Sequence, residues 1–199
     1  MPNSRTVHIV DDDDAMRDSL AFMLEARGLP TRTYPSASAF LDAIRPGDCG
    51  CVVTDVRMPG ISGLDLVREL KGRSVSWPII VMTGHGDIGL AVQAMKAGAV
   101  DFIEKPFSDE VLIRALNEAR TLDREGGTAD VEAKALIATL SPRERDVLQG
   151  VVAGKANKVI AHELAISPRT VEIYRANLMS KTGARHISEL MRIALAAGL

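Results

Sequence analysis

The 199-residue sequence predicts an α/β protein in which a doubly wound, five-stranded parallel sheet precedes an all-α, four-helix domain. Short β-branched runs alternate with helix-period stretches over the first 122 residues, which is typical of βαβ units. Comparable runs are missing from the last 60 residues. Formal charge also changes sign, because residues 1–125 hold 14 Lys and Arg against 19 Asp and Glu, whereas residues 140–199 hold nine against five.

Five strand-and-helix units make up the first part. The predicted strands are, in order, VHIV, TRTY, CVVTD, PIIVMT and VDFI, and each precedes a stretch with helical spacing of apolar residues. Right-handed crossovers between parallel strands then place helices on both faces of the sheet.

Helix signals dominate the second part. Ser141, Pro142 and Glu144 form a predicted capping box at the start of a helix that continues to about Ala153. Three more helical segments follow, and the turn around Ile166 and Ser167 joins the middle pair as in a helix-turn-helix. The predicted domains are therefore residues 1–122 and 138–199, with 123–137 as a linker that is helical in part.

Composition excludes several classes of protein. Apolar residues at 46% and charged residues at 25% match an ordinary globular chain, and 4% aromatic residues argue against a stacking-based single-strand binder. Cys49 and Cys51 have the spacing of neither a zinc site nor a disulfide framework. No apolar run approaches the ~20 residues of a membrane span, which predicts a cytoplasmic protein without membrane contact.

Polar residues end the predicted strands. Asp11 and Asp12 follow the first strand, Asp55 ends the third, Thr83 ends the fourth, and Lys105 follows the fifth. Ligands bind at the carboxyl ends of strands in open parallel sheets, so these side chains are expected to form one site. Converging carboxylates favour a divalent cation, and a neighbouring lysine that can hold a phosphoryl group favours Mg²⁺, with Mn²⁺ as a substitute. A carboxylate, a metal, a hydroxyl and an ammonium suffice to form an aspartyl-phosphate, with Asp55 as the nucleophile.

This set of residues resembles the CheY-like receiver domain of two-component response regulators. The resemblance covers about residues 5–122 and implies that Asp55 accepts phosphate from a kinase histidine. It also implies that Asp11, Asp12, Asp55 and the Arg57 backbone carbonyl hold Mg²⁺. Thr83 and Phe102 match the family's switch pair, and Lys105 matches its phosphate-contacting lysine, followed by a cis peptide bond to Pro106. The region 87–103 would form the dimer face of the phosphorylated state.

The segments LSPRERDVL, NKVIAHELAIS and ISPRTVEIYRANLMSKTGA resemble the LuxR/NarL-type output domain over about residues 138–198. The helix matching 168–181 would then enter the DNA major groove. Glu172, Ile173 and Ala176 would face base edges. The other expected DNA contacts, several of them to phosphates, are Lys158, Ser167, Arg169, Thr170, Arg175 and Lys181.

These resemblances together imply a phosphorylation-controlled transcription activator rather than an enzyme. Its partners would be a sensor histidine kinase, promoter DNA, RNA polymerase and a second copy of the chain. VHIVDDDD and MTGHGDIGLAVQAMKAGAVDFIEKPF are also similar to a regulator of nitrogen fixation, which implies an oxygen-sensing haem kinase and oxygen-responsive target genes.

Two alternatives remain at this point. Gly84, Gly86 and Gly89 fit the G-x-G-x-x-G pattern after an apolar strand, as in a dinucleotide-dependent oxidoreductase, although no acidic residue ends a later strand at the required distance. The other alternative is a DNA-binding regulator whose first domain acts independently of phosphorylation.

Overall fold

A computed structural model describes residues 6–45, 48–73, 75–84, 88–122 and 129–199. The chain divides into two compact units. The described residues of 6–84 and 97–122 form the first unit, and those of 88–96 and 129–199 form the second. The segment 88–96 lies inside the predicted first domain, so the domain boundaries proposed from the sequence stay a prediction.

The first unit contains the predicted five-stranded parallel sheet, in the order β2-β1-β3-β4-β5. Its strands are β1 (Val7–Val10), β2 (Thr31–Tyr34), β3 (Cys51–Asp55), β4 (Ile79–Thr83) and β5 (Asp101–Glu104). Val10 pairs with Thr54 and Thr83 pairs with Glu104. This register brings the residues at the carboxyl ends of β1, β3, β4 and β5 to one edge of the sheet.

The helices that connect these strands are α1 (Asp14–Glu25), α2 (Ala37–Ala43), α3 (Gly63–Gly72), α4 (Ile88–Ala97) and α5 (Asp109–Leu122). Side-chain oxygens of Asp13, Ser36 and Ser62 cap the first three at their N-termini, which explains where these helices begin. One side of the sheet packs against α1 and α5. Its core includes Ile9, Leu24, Val53, Met82 and Leu116.

The second unit contains α6 (Ala129–Ala138), α7 (Pro142–Val152), α8 (Asn157–Glu163), α9 (Pro168–Thr182) and α10 (Ile187–Ala196). The predicted capping box is confirmed, because Ser141 and Glu144 exchange side-chain and backbone hydrogen bonds at the start of α7. Most of the predicted linker forms α6, which packs against α10. The core of this unit contains buried side chains of α7, α8, α9 and α10, including Leu148, Ile160, Val171, Leu178 and Met191.

Close packing between α7 and α8 depends on a glycine. A Cβ atom at Gly150 would lie 2.7 Å from Cγ1 of Ile160.

Within the ranges that the structure describes, no helix has both the length and the apolar character needed to cross a membrane.

Candidate functional sites

Three charged side chains meet at the carboxyl edge of the sheet. The Lys105 ammonium lies 3.0 Å from Oδ2 of Asp11 and 2.5 Å from Oδ1 of Asp55. The side chains of Asp11 and Asp55 are only 2% and 12% exposed. Since β1, β3 and the end of β5 each supply one group, the sheet register assembles this cluster from residues far apart in the sequence.

Backbone groups fix the orientation of both carboxylates. Asp13 donates its N–H to Oδ1 of Asp11 at 2.9 Å, and Arg57 donates its N–H to Oδ2 of Asp55 at 2.6 Å. Lys105 also donates its backbone N–H to the Thr83 carbonyl at 2.8 Å, so β4 holds the lysine in place. The peptide bond between Lys105 and Pro106 is cis, as the resemblance implied.

The carboxylates keep the lysine charged. Burial by itself lowers the pKa of Lys105, but hydrogen bonds and charge from Asp55 and Asp11 outweigh burial and raise this pKa above its ordinary value. A charged amine beside the carboxylate of Asp55 is suited to stabilising negative oxygens of a group attached there.

The remaining predicted residues of this site differ in burial. Asp12 is exposed directly after Asp11, Thr83 is 2% exposed at the end of β4, and Phe102 is half-buried on β5. The carboxylates of Asp11, Asp12 and Asp55 and the ammonium of Lys105 carry a formal charge of −2 together. Carboxylate oxygens with this net charge suit a hard divalent cation in chemistry, and in the structure the Lys105 ammonium lies against two of the three carboxylates.

Two neighbours of the site were not foreseen from the sequence. Arg17 donates from Nη1 to the Asp11 carbonyl at 2.6 Å and also pairs with Asp14. Gly63 begins α3 so close to β3 that a Cβ atom there would lie 2.0 Å from the Asp55 carbonyl oxygen. The i, i+3 spacing of Asp14 and Arg17 could have signalled their ion pair. No local pattern signals the contact of Arg17 with the Asp11 carbonyl or the close approach of Gly63 to β3.

A second candidate site lies on α9, which has two distinct sides. Val171, Leu178 and Thr182 are buried, and the opposite side exposes Arg169, Glu172, Ile173 and Ala176. Ile173 is 53% exposed among these side chains. The helix therefore presents a mixed polar and apolar stripe to solvent.

The first turn of α9 uses two of the predicted DNA-contact residues for its own structure. Ser167 caps the helix, since its Oγ accepts from the Thr170 backbone N–H at 3.0 Å and lies 2.8 Å from the Thr170 hydroxyl. Arg169 is 83% exposed and pairs with Glu172 at 3.1 Å. Both residues of that pair remain accessible on the exposed stripe.

The other predicted basic contacts differ among themselves. Lys158 is exposed on α8. Arg175 donates to Oδ1 of Asn157 on α8 at 2.7 Å, and burial lowers the pKa of its guanidinium. Lys181 donates to Oε2 of Glu144 on α7, also at 2.7 Å. Arg175 and Lys181 thus connect α9 to the helices beneath it.

Comparisons with known proteins agree with this two-part architecture. The family described as response regulator receiver domain matches residues 7–117, and the luxR family of bacterial regulatory proteins matches residues 138–194. The transcriptional regulatory protein FixJ of Azorhizobium caulinodans is 56% identical over all of this chain and 96% of that protein. FixJ of Bradyrhizobium diazoefficiens is 48% identical over 97% of this chain and 96% of its own length.

Solved structures show the same similarity. The crystal structure of full-length FixJ from B. japonicum has a TM-score of 0.59 and 47% identity, covering 100% of this chain and 98% of that one. A structure titled FixJ-N has a TM-score of 0.54 and 53% identity, covering 57% of this chain and 91% of that one.

The chain belongs to the two-component response regulators that join a receiver domain to a luxR-type DNA-binding domain. Within that class it is a FixJ-type regulator that acts as a transcription activator and not as a metabolic enzyme. A sensor kinase is therefore its implied partner, and receiver domains generally bind Mg²⁺ at their phosphorylation site.

This membership removes the dinucleotide-binding alternative. The GHGDIG segment lies inside the stretch that matches the receiver family. Gly84 and Gly89 flank the start of α4 in the structure, whereas Gly86 lies outside the described residues.

Proposed function

We propose that Asp55 is the phosphoryl acceptor of this regulator. The observation that carries the proposal is the contact of one partly buried ammonium, on Lys105, with the carboxylates of both Asp55 and Asp11 at the carboxyl edge of the sheet. The register of the parallel strands places these groups where open sheets bind ligands.

The transfer is a displacement at phosphorus. A carboxylate oxygen of Asp55 attacks the phosphoryl group of a kinase phosphohistidine, and the bond between phosphorus and the imidazole nitrogen breaks. The nitrogen keeps the electron pair. Lys105 contributes positive charge beside the transferred oxygens, the Arg57 N–H orients the nucleophile, and the Thr83 hydroxyl supplies a further donor as the switch responds.

Asp11, Asp12, Asp55 and the Arg57 carbonyl are the groups that would hold the magnesium ion. When bound, Mg²⁺, or Mn²⁺ in its place, neutralises charge on the phosphoryl oxygens. The Asp13 N–H donates to the Asp11 carboxylate, and Arg17 donates to the Asp11 backbone carbonyl, which supports a fixed position for this ligand.

Phosphorylation would then change the oligomeric state. We place the switch in Thr83 and Phe102, and the dimer face in the region 87–103, of which residue 87 lies outside the described part. Two copies of α9 would meet two DNA half-sites in successive major grooves. Glu172, Ile173 and Ala176 would read bases. Arg169, Thr170 and Arg175 would lie near phosphates, with Lys158 and Ser167 as further DNA contacts.

The physiological setting is inferred from the relatives. Similarity to FixJ transcriptional regulatory proteins supports a role at promoters, and we propose nitrogen-fixation genes as the targets. We further propose the cytoplasm as the compartment, RNA polymerase as the target of activation and, from the resemblance in the sequence, an oxygen-sensing haem kinase as the phosphate donor.

A phosphodonor experiment tests the acceptor. The full chain is incubated with acetyl phosphate and Mg²⁺, and its intact mass is measured. Wild type should gain one phosphoryl group, whereas Asp55→Asn should gain none. A wild-type chain that stays unmodified, or an Asp55→Asn chain that gains the same mass, would overturn the assignment.

Asp55→Asn also tests the alternative in which the protein binds DNA and regulates transcription independently of phosphorylation. If Asp55→Asn binds and activates a promoter in the presence of the kinase as well as wild type does, regulation does not pass through Asp55. We expect activation to be lost.

A further inference from the structure

Two basic residues of α9 lie between its exposed and buried sides. At 3.6 residues per turn, Arg175 and Lys181 are each about 120° around the helix from the direction of Arg169, on opposite flanks. Arg175 contacts α8, and Lys181 contacts α7. Lys181 is also ~13 Å along the axis from Glu172, in the last turn of the helix.

The partner of Lys181 is a buried carboxylate with two functions. Glu144 has a side chain only 5% exposed, and its Oε2 accepts from the Lys181 ammonium and from the Ser141 backbone N–H, both at 2.7 Å. The Glu144 N–H in turn donates to Oγ of Ser141 at 3.3 Å. One carboxylate therefore caps α7 and holds the last turn of α9.

This arrangement makes the contact costly to break from either side. Removing Lys181 would leave a buried carboxylate with only its capping hydrogen bond, and removing the charge of Glu144 would release the ammonium. In contrast, the surface pair of Arg169 and Glu172 is largely exposed and contributes little to the orientation of the helix.

We propose that Glu144 and Lys181 are positioning residues that set the orientation of α9 for DNA binding, and that Lys181 makes no contact with a DNA phosphate. The proposal rests on the function proposed above, in which α9 lies in the major groove. It revises the expectation drawn from the resemblance to the LuxR/NarL-type domain, which counted Lys181 among the DNA contacts.

The two roles of Lys181 predict opposite effects for one substitution. If Lys181 positions α9, Glu144→Gln weakens specific DNA binding, because the helix loses its link to α7. If Lys181 binds phosphate, Glu144→Gln frees the ammonium, so binding stays unchanged or becomes tighter.

The test measures DNA affinity as a function of salt concentration. The probe is a duplex that the acetyl-phosphate-treated wild-type chain selects from a random-sequence pool. Lys181→Met and Glu144→Gln should each weaken binding about tenfold, with the slope of log K against log salt unchanged. The matched control is Lys158→Met, on an exposed lysine of α8, which should reduce the magnitude of that slope by ~0.9.

Further variants exclude a simple folding defect. Lys181→Arg keeps a charged donor and should bind as wild type does, and the double variant should lose no more than either single one. If Glu144→Gln does not fold, as judged by circular dichroism, the test relies on Lys181→Met. The Lys181 side chain is half-exposed, so this variant should still fold, and the slope of log K against log salt can be measured for it.

Different results would contradict the positioning role of Lys181 and the proposed DNA interface. A reduced slope for Lys181→Met, or tighter binding by Glu144→Gln, would overturn the positioning role while DNA binding stands. If instead Lys158→Met and Arg169→Ala both leave affinity and slope unchanged, α9 and α8 do not contact DNA and the proposed interface is itself wrong.

Discussion

His8 shows how tertiary packing can change the chemistry of one residue. It lies on β1 with its ring centroid 4.9 Å from that of Trp77, and its Nδ1 is 3.1 Å from the Tyr34 hydroxyl. Burial, with a smaller effect from Arg32, lowers the pKa of His8 from 6.5 to about 4. The imidazole is therefore neutral at pH 7.

The shift predicts loss of stability in mild acid. Because the folded pKa is lower than the unfolded one, the full contribution of His8 is present above pH 6.5 and is lost as pH falls toward 4. The free energy of unfolding of the first unit should fall by ~2 kcal/mol between pH 7 and pH 5. Urea unfolding followed by fluorescence of Trp77, the single tryptophan, measures this change.

His8→Phe is the control for this prediction, because it keeps a planar ring but does not titrate. The variant should lose most of the pH dependence between pH 7 and pH 5. An equal fall in stability for both proteins would assign the effect to another group.

Ala165 has a strained backbone in the turn between α8 and α9. Its φ of 53° lies in the left-handed region, where a Cβ atom costs about 1 kcal/mol. Ala165→Gly should therefore raise the melting temperature of the second unit, as measured by circular dichroism. Ala153→Gly, at the right-handed C-cap of α7, should lower it. A lower melting temperature for Ala165→Gly would show that the turn is unstrained.

At the scale of elements, the junction of β3 and α3 links fold and site. The N–H of Gly63 donates to the Val56 carbonyl at 3.1 Å, and α3 begins against the backbone of Asp55. A side chain at Gly63 must push the helix away from the strand that carries the proposed phosphoryl acceptor.

Gly63→Ala should therefore reduce both stability and phosphorylation. We expect a loss of about 1–3 kcal/mol in the free energy of unfolding and slower modification by acetyl phosphate, measured by intact mass over time. Gly72→Ala, at the other end of the same helix, has open space around its Cβ position and should be neutral or stabilising. Equal phosphorylation rates in the two variants would contradict this account.

Element boundaries that depend on local chemistry were predictable. The capping box at Ser141 and Glu144 and the helix start at Pro168 follow from hydrogen bonds within four residues of each other, and the structure confirms both. The contact of Glu144 with Lys181 spans 37 residues and depends on how α7 packs on α9. Sequence spacing carries no information on such a contact.

At the scale of the molecule, the near-neutral charge of −2 combines an acidic first part with a basic second part. Two of these acids, Asp11 and Asp55, meet Lys105 at the proposed site for a divalent cation and phosphate. The basic part includes α8 and α9, with Lys158 and Arg169 exposed. The separation of charge thus matches the separation of the two proposed activities.

The proposed dimer predicts a dependence on the spacing of DNA half-sites. Two recognition helices related by a two-fold axis fit half-sites about one helical turn apart. Inserting about 5 base pairs between the half-sites of a selected duplex should abolish tight binding by the phosphorylated chain, and inserting about 10 should restore much of it. Gel-shift titration measures this, with light scattering to count chains. Tight binding at every spacing would exclude a rigid two-fold dimer.

The sequence by itself determined the fold class, the polar strand ends and the helix-turn-helix, because hydrophobic period, caps and turn residues act over a few positions. Only the tertiary structure decided which side chains meet. Strand register brings Asp11, Asp55 and Lys105 into contact. Packing of the sheet buries His8 among aromatic rings, and packing of the helices places Lys181 against Glu144. Charge and spacing alone could not distinguish Lys181 from Lys158, because the role of a surface cation depends on what the fold places within reach of it.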